Sequence, residues 1–302
     1  MQSNKIPDNP VNTMDYLIYL VFRAFISLFR FIPFRLLFGF ADLMYYLVYY
    51  VFGYRKKVVF ENLRKSFPSK SEEEITGIAK GFYHHLTDML IESLKAFTMK
   101  ESAVVRRYRF QNTGFLDDLC RQGQQAIMVA GHYANWEWAG IAAGSQILYK
   151  PVGFYKPLSN KFIDRYIQHT RVRGRSRLAS ITKTAETFKT DWGEPAAFYM
   201  VADQSPSSAR LALWVEFMNQ DTATLHGPEK YARLTGYPVI FASVKKVKRG
   251  YYTVDFRMLE SEPSKTKTGE ITGRFMKMLE EVVNEHPEYY LWSHRRWKLK
   301  RL

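Results

Sequence analysis

The stretch QAIMVAGHYANWEWAG, residues 125–140, decides how the rest of the chain is read. Its first half is a run of apolar residues ending at Gly131, the pattern of a buried strand. Its second half reads as a helix start, with Asn135 as a plausible N-cap and Glu137 in the first turn. His132 then lies at the strand's carboxyl end, where open α/β sheets carry their chemistry. His132 and Glu137 would stand about 140° apart on one ideal helix, so they can meet only if His132 sits in the turn before it. Glu137 could then hold one ring nitrogen and leave the other free to take a proton from a substrate. A capped helix start with an internally satisfied histidine is the alternative that the same spacing allows.

Working outward, QQAIMVAGH, YKPVGFYKP, EPAAFYMVADQSP, YPVIFASVKKVKRG and YYTVDFRML are short β-branched and aromatic runs bounded by Gly, Pro or charge. Between and after them lie helical stretches: NWEWAGIAAGSQIL, NKFIDRYIQHTRVRG, KTAETFKT, GPEKYARLTG and TGRFMKMLEEVVNEHP. Alternating strands and helices predict an α/β body, a central and mostly parallel sheet flanked by helices. Asp203 and Gln204 follow the strand AAFYMV, where a second active-site loop would emerge; a plain loop cap is the alternative. No GxSxG, GxGxxG or GxxxxGK[ST] occurs, which argues against a serine-elbow hydrolase and a P-loop enzyme.

The N-terminal segment differs in kind. Residues 14–54 are strongly apolar but carry Asp15, Arg23, Arg30, Arg35 and Asp42, with Pro33 near the middle. Proline fits poorly inside one continuous helix, so two helical pieces are expected, Met14 to Ile32 and Phe34 to Phe52. Each would be about 28 Å long, enough for a bilayer core of about 30 Å. Arg23 and Arg30, seven residues apart, share a helix face, which suits a helix lying in the interface with arginines toward phosphate headgroups. Arg55, Lys56 and Lys57 form the flank expected on the cytoplasmic side. The chain is accordingly divided into membrane-associating helices over 1–57 and an α/β domain over 58–302.

A further helix is expected from about Glu72 to Phe97, opened by Ser69 or Ser71 and a glutamate-rich first turn. Its polar face holds His84, His85, Asp88 and Glu92; Asp88 and Glu92, one turn apart, could with His85 in principle ligate a metal but read as a solvated face or local salt bridges, so no metal site is expected. The formal charge of +15, from 44 Lys and Arg against 29 Asp and Glu, points to an anionic partner without naming it. An anionic membrane surface fits the apolar N-terminus; no nucleic-acid reader motif occurs. A noncatalytic basic lipid-binding protein would need only that charge and the amphipathic hairpin. Cys120, the lone cysteine, allows no intrachain disulfide. WSHRRWK, residues 292–298, is either a headgroup-facing basic and aromatic cluster or a packed terminal segment, and His294 in it is a poor catalytic candidate.

GHYANWEW carries a histidine and an acidic residue separated by four positions, at His132 and Glu137. With RKKVVFENLRKSFPSKS, FYHHLTDMLIESLK, YKPLSN, RVRG, ADQSP, GPEKYARLTGYPV and LWSHRRWK in that order, the chain resembles the lipid A secondary acyltransferases of the lauroyl and myristoyl type, within the lysophospholipid acyltransferase-like superfamily. The resemblance implies acyl transfer from a thioester, on acyl carrier protein or coenzyme A, to a hydroxyl of a membrane lipid, most simply a lipid A precursor. It implies His132 as general base and Glu137 as its orienting partner, with no cofactor beyond the thioester co-substrate. It places such an enzyme on the cytoplasmic face of a bacterial inner membrane. Arg171 and Arg173 of RVRG, Asn135 or backbone N–H groups are candidates for the oxyanion or for substrate binding; the arginines could equally hold a lipid phosphate or cover a surface. Related enzymes acylate other glycolipids and lysolipids, so the acceptor stays open at this point.

Overall fold

The computed structural model describes residues 13–172 and 174–301. Two apolar helices come first among the described residues, α1 (Thr13–Leu28) and α2 (Phe34–Tyr46), and α2 runs on into a π-helical turn over Leu47–Val51. The break falls at Pro33, as the sequence requires, but α1 stops four residues before the expected Ile32. The turn that follows it is held by a side chain from elsewhere: Lys95, itself buried, donates to the carbonyl oxygens of Phe29, Arg30 and Ile32. A lysine just past a helix C-terminus answers both the carbonyls there and the negative end of the helix dipole.

Helix α3 (Lys56–Ser66) leads to α4 (Glu72–Ala96), whose N-cap is Ser71 with a complete capping box: Ser71 Oγ accepts from Glu74 N–H, and the Glu74 carboxylate accepts from Ser71 N–H. The face of α4 that reads as solvated in sequence is turned inward: His85, Asp88 and Glu92 are buried at 4%, 4% and 0% exposure. Asp88 is gripped by Arg249 and approached by Lys246, and the same Arg249 binds Asp42 of α2. The acidic residue that burdens the apolar hairpin in sequence is thus neutralised by the domain on which the hairpin lies.

After the short α5 (Glu101–Val105) come β1 (Tyr108–Phe110), α6 (Gly114–Arg121), β2 (Ala126–Ala130), α7 (Ala139–Ala142), β3 (Lys150–Tyr155), α8 (Lys161–Arg171), β4 (Arg177–Ser180), α9 (Thr184–Lys189) and β5 (Ala196–Val201). A hairpin of β6 (Leu213–Phe217) and β7 (Gln220–Thr224) stands apart as a second, two-stranded sheet. Then follow α10 (Gly227–Thr235), β8 (Val239–Lys248), β9 (Tyr251–Glu260) and α11 (Glu270–Glu285). The main sheet has the order β1-β9-β8-β2-β5-β3-β4. Its pairs are parallel except β8 with β9, so β1 and β9 run against the other five strands. The five expected strands are all present, and the fold is the expected helix-flanked, mostly parallel α/β sheet. The runs at β1, β4 and β7 are too short or too polar to stand out in sequence, and the apolar LWVEF of β6 is a further strand not among those expected.

Strand β2 lies at the centre, with Ala126 to Val129 at 1% exposure or less and neighbours on both edges. A strand so placed is covered on both faces, which is why it reads as a continuous apolar run. It ends just before Gly131, where a Cβ would come within 2.6 Å of the buried Leu279 side chain of α11, so a larger residue there would force that side chain to move.

Candidate active site

The chain leaves β2 and turns at once, so the helix start expected at Asn135 is not there: α7 begins only at Ala139. Residues 131–138 form an irregular turn clasped from both sides. On one side the C-terminal segment pairs with it, Ala134 N–H donating to the Tyr289 carbonyl at 3.0 Å and Leu291 N–H to the His132 carbonyl at 3.2 Å. Ala134 itself has φ of 50°, the left-handed region that an alanine enters only when its surroundings compel it.

His132 Nδ1 lies 2.6 Å from Asp203 Oδ1, and Nε2 lies 3.1 Å from the Gln204 amide nitrogen. These two contacts define the neutral tautomer: Nδ1–H donates to the carboxylate, and Nε2 accepts from Gln204. Asp203 and Gln204 arrive from β5, the strand next to β2, and Ala202 N–H donates to the Ala130 carbonyl at 3.1 Å to hold the two strand ends together. Trp136 meets the imidazole edge-on, ring centroids 4.9 Å apart.

This corrects the expected pairing. The carboxylate on the His132 ring is Asp203, 71 positions away in sequence, and Glu137 accepts instead from Arg171 Nη2 at 2.5 Å. With no helix at 135–138, Glu137 is turned to the cavity wall, where the end of α8 supplies a guanidinium. Arg171 therefore lies in the site as a partner of Glu137. Arg173 lies outside the described residues. Asn135, expected as a helix cap or oxyanion donor, is fully buried away from the cavity: its Oδ1 accepts from Trp138 N–H at 3.2 Å and its Nδ2 donates to Glu92 at 2.7 Å.

Electrostatics follow from this packing. Burial of the His132 ring works against its charged form, but the Asp203 carboxylate outweighs it, with a smaller contribution from Glu137, so the imidazole is held above its ordinary pKa. Burial alone would raise Asp203, which is 2% exposed; the adjacent His132, with Arg296 behind, overcomes it and holds the carboxyl below its usual range. Arg296 and His294 belong to the terminal basic cluster, which is a packed segment. Arg296 is buried, and His294 Nε2 accepts the Ser205 N–H at 3.2 Å, bracing the loop that carries Asp203. Burial pushes the His294 pKa down to about 4, in keeping with a neutral acceptor.

The open side of His132 faces a cavity of about 960 Å³ laid across one face of the sheet. Near the histidine its wall is polar, with Glu137, Arg171 and Gln204; toward β1 and β8 it is apolar, with Met128, Ile141, Val244 and Val254. Lys156 and Arg177 add positive charge on the other arm. An imidazole with one nitrogen fixed by a buried carboxylate and the other held by a cavity-lining amide can take a proton from a hydroxyl that replaces that amide. Among the described residues no group of three or more His, Cys, Asp or Glu could hold a metal ion. Sequence reading missed the Asp203 contact, Trp136 and the terminal brace at His294; the one signal for Asp203 was its place at a strand's carboxyl end, like that of His132.

Comparison with known proteins identifies the family. The chain matches the model of the family described as bacterial lipid A biosynthesis acyltransferase over residues 8–299. It is 26% identical over 259 residues to the lipid A biosynthesis palmitoleoyltransferase of Escherichia coli (strain K12), covering 82% of this chain and 79% of that protein. It is also 26% identical over 258 residues to the lipid A biosynthesis lauroyltransferase of the same organism, covering 82% and 80%. A family match that runs through the apolar hairpin, the His132 turn and the terminal brace alike establishes that this chain belongs to the bacterial lipid A biosynthesis acyltransferases.

Proposed function

We propose that this acyltransferase moves a fatty acyl chain from an acyl carrier protein thioester to a hydroxyl of a lipid A precursor, with His132 as general base. The observation that carries the reading is the His132 ring in the cavity wall, fixed at Nδ1 by buried Asp203 and met at Nε2 by the Gln204 amide, itself a cavity-lining group. The acceptor hydroxyl displaces the Gln204 amide at Nε2 and gives up its proton there as its oxygen attacks the thioester carbonyl. The tetrahedral oxyanion collapses, the carbon–sulfur bond breaks, and the imidazolium returns the proton to the leaving thiolate. Asp203 keeps the correct tautomer and stabilises the imidazolium. The freed Gln204 amide and Arg171, held by Glu137, supply donors for the oxyanion. The apolar arm takes the acyl chain, and the arm with Lys156 and Arg177 takes the anionic parts of either substrate.

No acyl-enzyme is needed, and no cofactor beyond the thioester. Cys120 is buried, does not line the cavity, and has its thiol pKa raised by that burial, the opposite of an activated nucleophile. The test is to offer purified enzyme acyl carrier protein and coenzyme A thioesters with a lipid A precursor. Single-turnover samples are then quenched for intact-protein mass. The expected outcome is acylated lipid, faster from the carrier protein, with no enzyme species heavier by an acyl group. A kinetically competent acyl-enzyme would sink direct transfer, and equal rates from coenzyme A would remove the donor assignment.

The enzyme works at the cytoplasmic face of the inner membrane, with the hairpin in residues 1–57 lying in one leaflet. Its outward surface is apolar at Val21, Leu28, Phe31, Leu36, Val51 and Phe52, while Arg23 and Arg30 remain exposed for headgroup phosphates. Its turn is pinned to α4 by Lys95, and Asp42 is tied to the domain by Arg249, which opposes a span across the bilayer. Arg30→Cys is expected to stay unreactive toward an impermeant thiol reagent added to the periplasmic side of spheroplasts, and to react in inverted vesicles. Labelling from the periplasmic side would establish a spanning hairpin.

A further inference from the structure

Behind the His132 turn, on the side away from the cavity, α4 presents Glu92 with no solvent exposure. Its Oε2 accepts from Asn135 Nδ2 at 2.7 Å and from the Tyr252 hydroxyl of β9 at 2.8 Å. Asn135 in turn accepts from Trp138 N–H, and the Trp138 indole N–H donates to the Glu92 backbone carbonyl at 3.1 Å. The segment 135–138 is therefore clasped to one residue of α4 by both its side chain and its main chain. This segment lies between His132 and α7, next to an alanine in a left-handed conformation that costs about 1–2 kcal/mol and does not hold itself. Glu92 takes no part in the transfer, and its other oxygen, Oε1, has no partner among the described residues. So costly a burial of a carboxyl persists only where the bonds it makes are needed.

We infer that Glu92 is a positioning residue: through Asn135 it fixes the turn that aims His132 at the acceptor hydroxyl and Glu137 at Arg171. The inference rests on the reading of His132 as the base, and it assigns a chemical job to a face of α4 that reads in sequence as solvated. Burial pushes the Glu92 pKa up to about 7, and both its neutral and its charged form present an acceptor oxygen to Asn135. Glutamine keeps that oxygen and should serve; alanine should not. The Tyr252 hydroxyl shares the same Glu92 oxygen, and the Tyr252 ring meets the turn edge-on at Trp138, centroids 6.1 Å apart; phenylalanine keeps that ring contact and removes only the hydroxyl, which makes Tyr252→Phe the control for general loosening of the buried cluster.

The test uses full-length enzyme in detergent micelles and measures kcat and KM for both substrates. Glu92→Ala and Asn135→Ala are each expected to lower kcat about 10- to 100-fold, the effect of misplacing a reacting group by an ångström or so. KM should stay within about twofold, because binding energy outside the reacting atoms is untouched. Glu92→Gln should remain within about threefold of wild type, and Tyr252→Phe should leave kcat nearly unchanged. The Glu92→Ala, Asn135→Ala double variant should be little worse than the poorer single one, since both cut the same link. An unchanged kcat in the folded single variants, multiplying losses in the double, or an equal loss in Tyr252→Phe would each overturn the inference. Where Glu92→Ala does not fold, Asn135→Ala decides alone, since it leaves Glu92 bonded to Tyr252. Activity surviving in His132→Ala would remove the reading of the base. Full activity in Glu92→Ala and Asn135→Ala, with His132→Ala inactive, would remove only the present inference.

Discussion

Replacing His132 by alanine is expected to cut acyl transfer by about 10²- to 10⁴-fold while leaving the protein folded and in the membrane fraction. That is the usual contribution of a positioned general base. The ring is only partly buried, its side chain 16% exposed, and it faces the cavity, so removing it deletes a proton acceptor without emptying a packed core. Fold stability should change little by comparison with a core truncation of about 2–5 kcal/mol. In cells, lipid extracts analysed by mass spectrometry should accumulate a lipid lighter by one acyl chain. The measurement belongs in a strain without a redundant enzyme. An unchanged lipid profile there, with the variant expressed at wild-type level, would defeat the assignment of His132.

Asp203→Asn separates the two carboxylates near the histidine. The reading of Asp203 as the orienting group predicts a loss of about 10²- to 10⁴-fold in kcat, because an asparagine amide can turn its N–H toward Nδ1 and favour the wrong tautomer. Glu137→Gln, which keeps an acceptor for Arg171, should lose about tenfold or less. The pH profile adds a second readout. His132 must be neutral to take a proton, so kcat/KM falls as pH drops through its pKa. Asp203 raises that pKa, which sets the acid limb of the wild type above the ordinary imidazole value of about 6.5. Removing the Asp203 charge lowers the His132 pKa, so the limb should move to lower pH even as the plateau falls. A limb that stays in place in Asp203→Asn but moves in Glu137→Gln would return the orienting role to Glu137.

The same contrast marks where sequence reasoning ended. Strand β2 was legible because a central parallel strand is apolar without interruption, and the break between α1 and α2 because proline cannot continue a helix. His132 was legible through its place at a strand's carboxyl end. Its partner was not, because spacing speaks only for residues near one another along the chain. Glu137 lies five positions on and was the natural candidate; the turn that leaves β2 without forming a helix carries it to Arg171 instead.

Buried polarity was hidden for a related reason. His85, Asp88 and Glu92 lie at helical spacing on α4 and look like a solvated face, since charged residues are seldom buried. Only the packing of α2, β8, β9 and the 131–138 turn against that face supplies Arg249, Lys246, Tyr252 and Asn135 as partners. The sequence by itself determined the α/β body, the apolar hairpin and the site's address at the end of β2, because these follow from local periodicity and chain stiffness. Tertiary structure alone decided which carboxylate meets His132, which holds Arg171 and which lies behind the turn. Those choices depend on strand order and on the desolvation of each group, and neither is written in the spacing of residues along the chain.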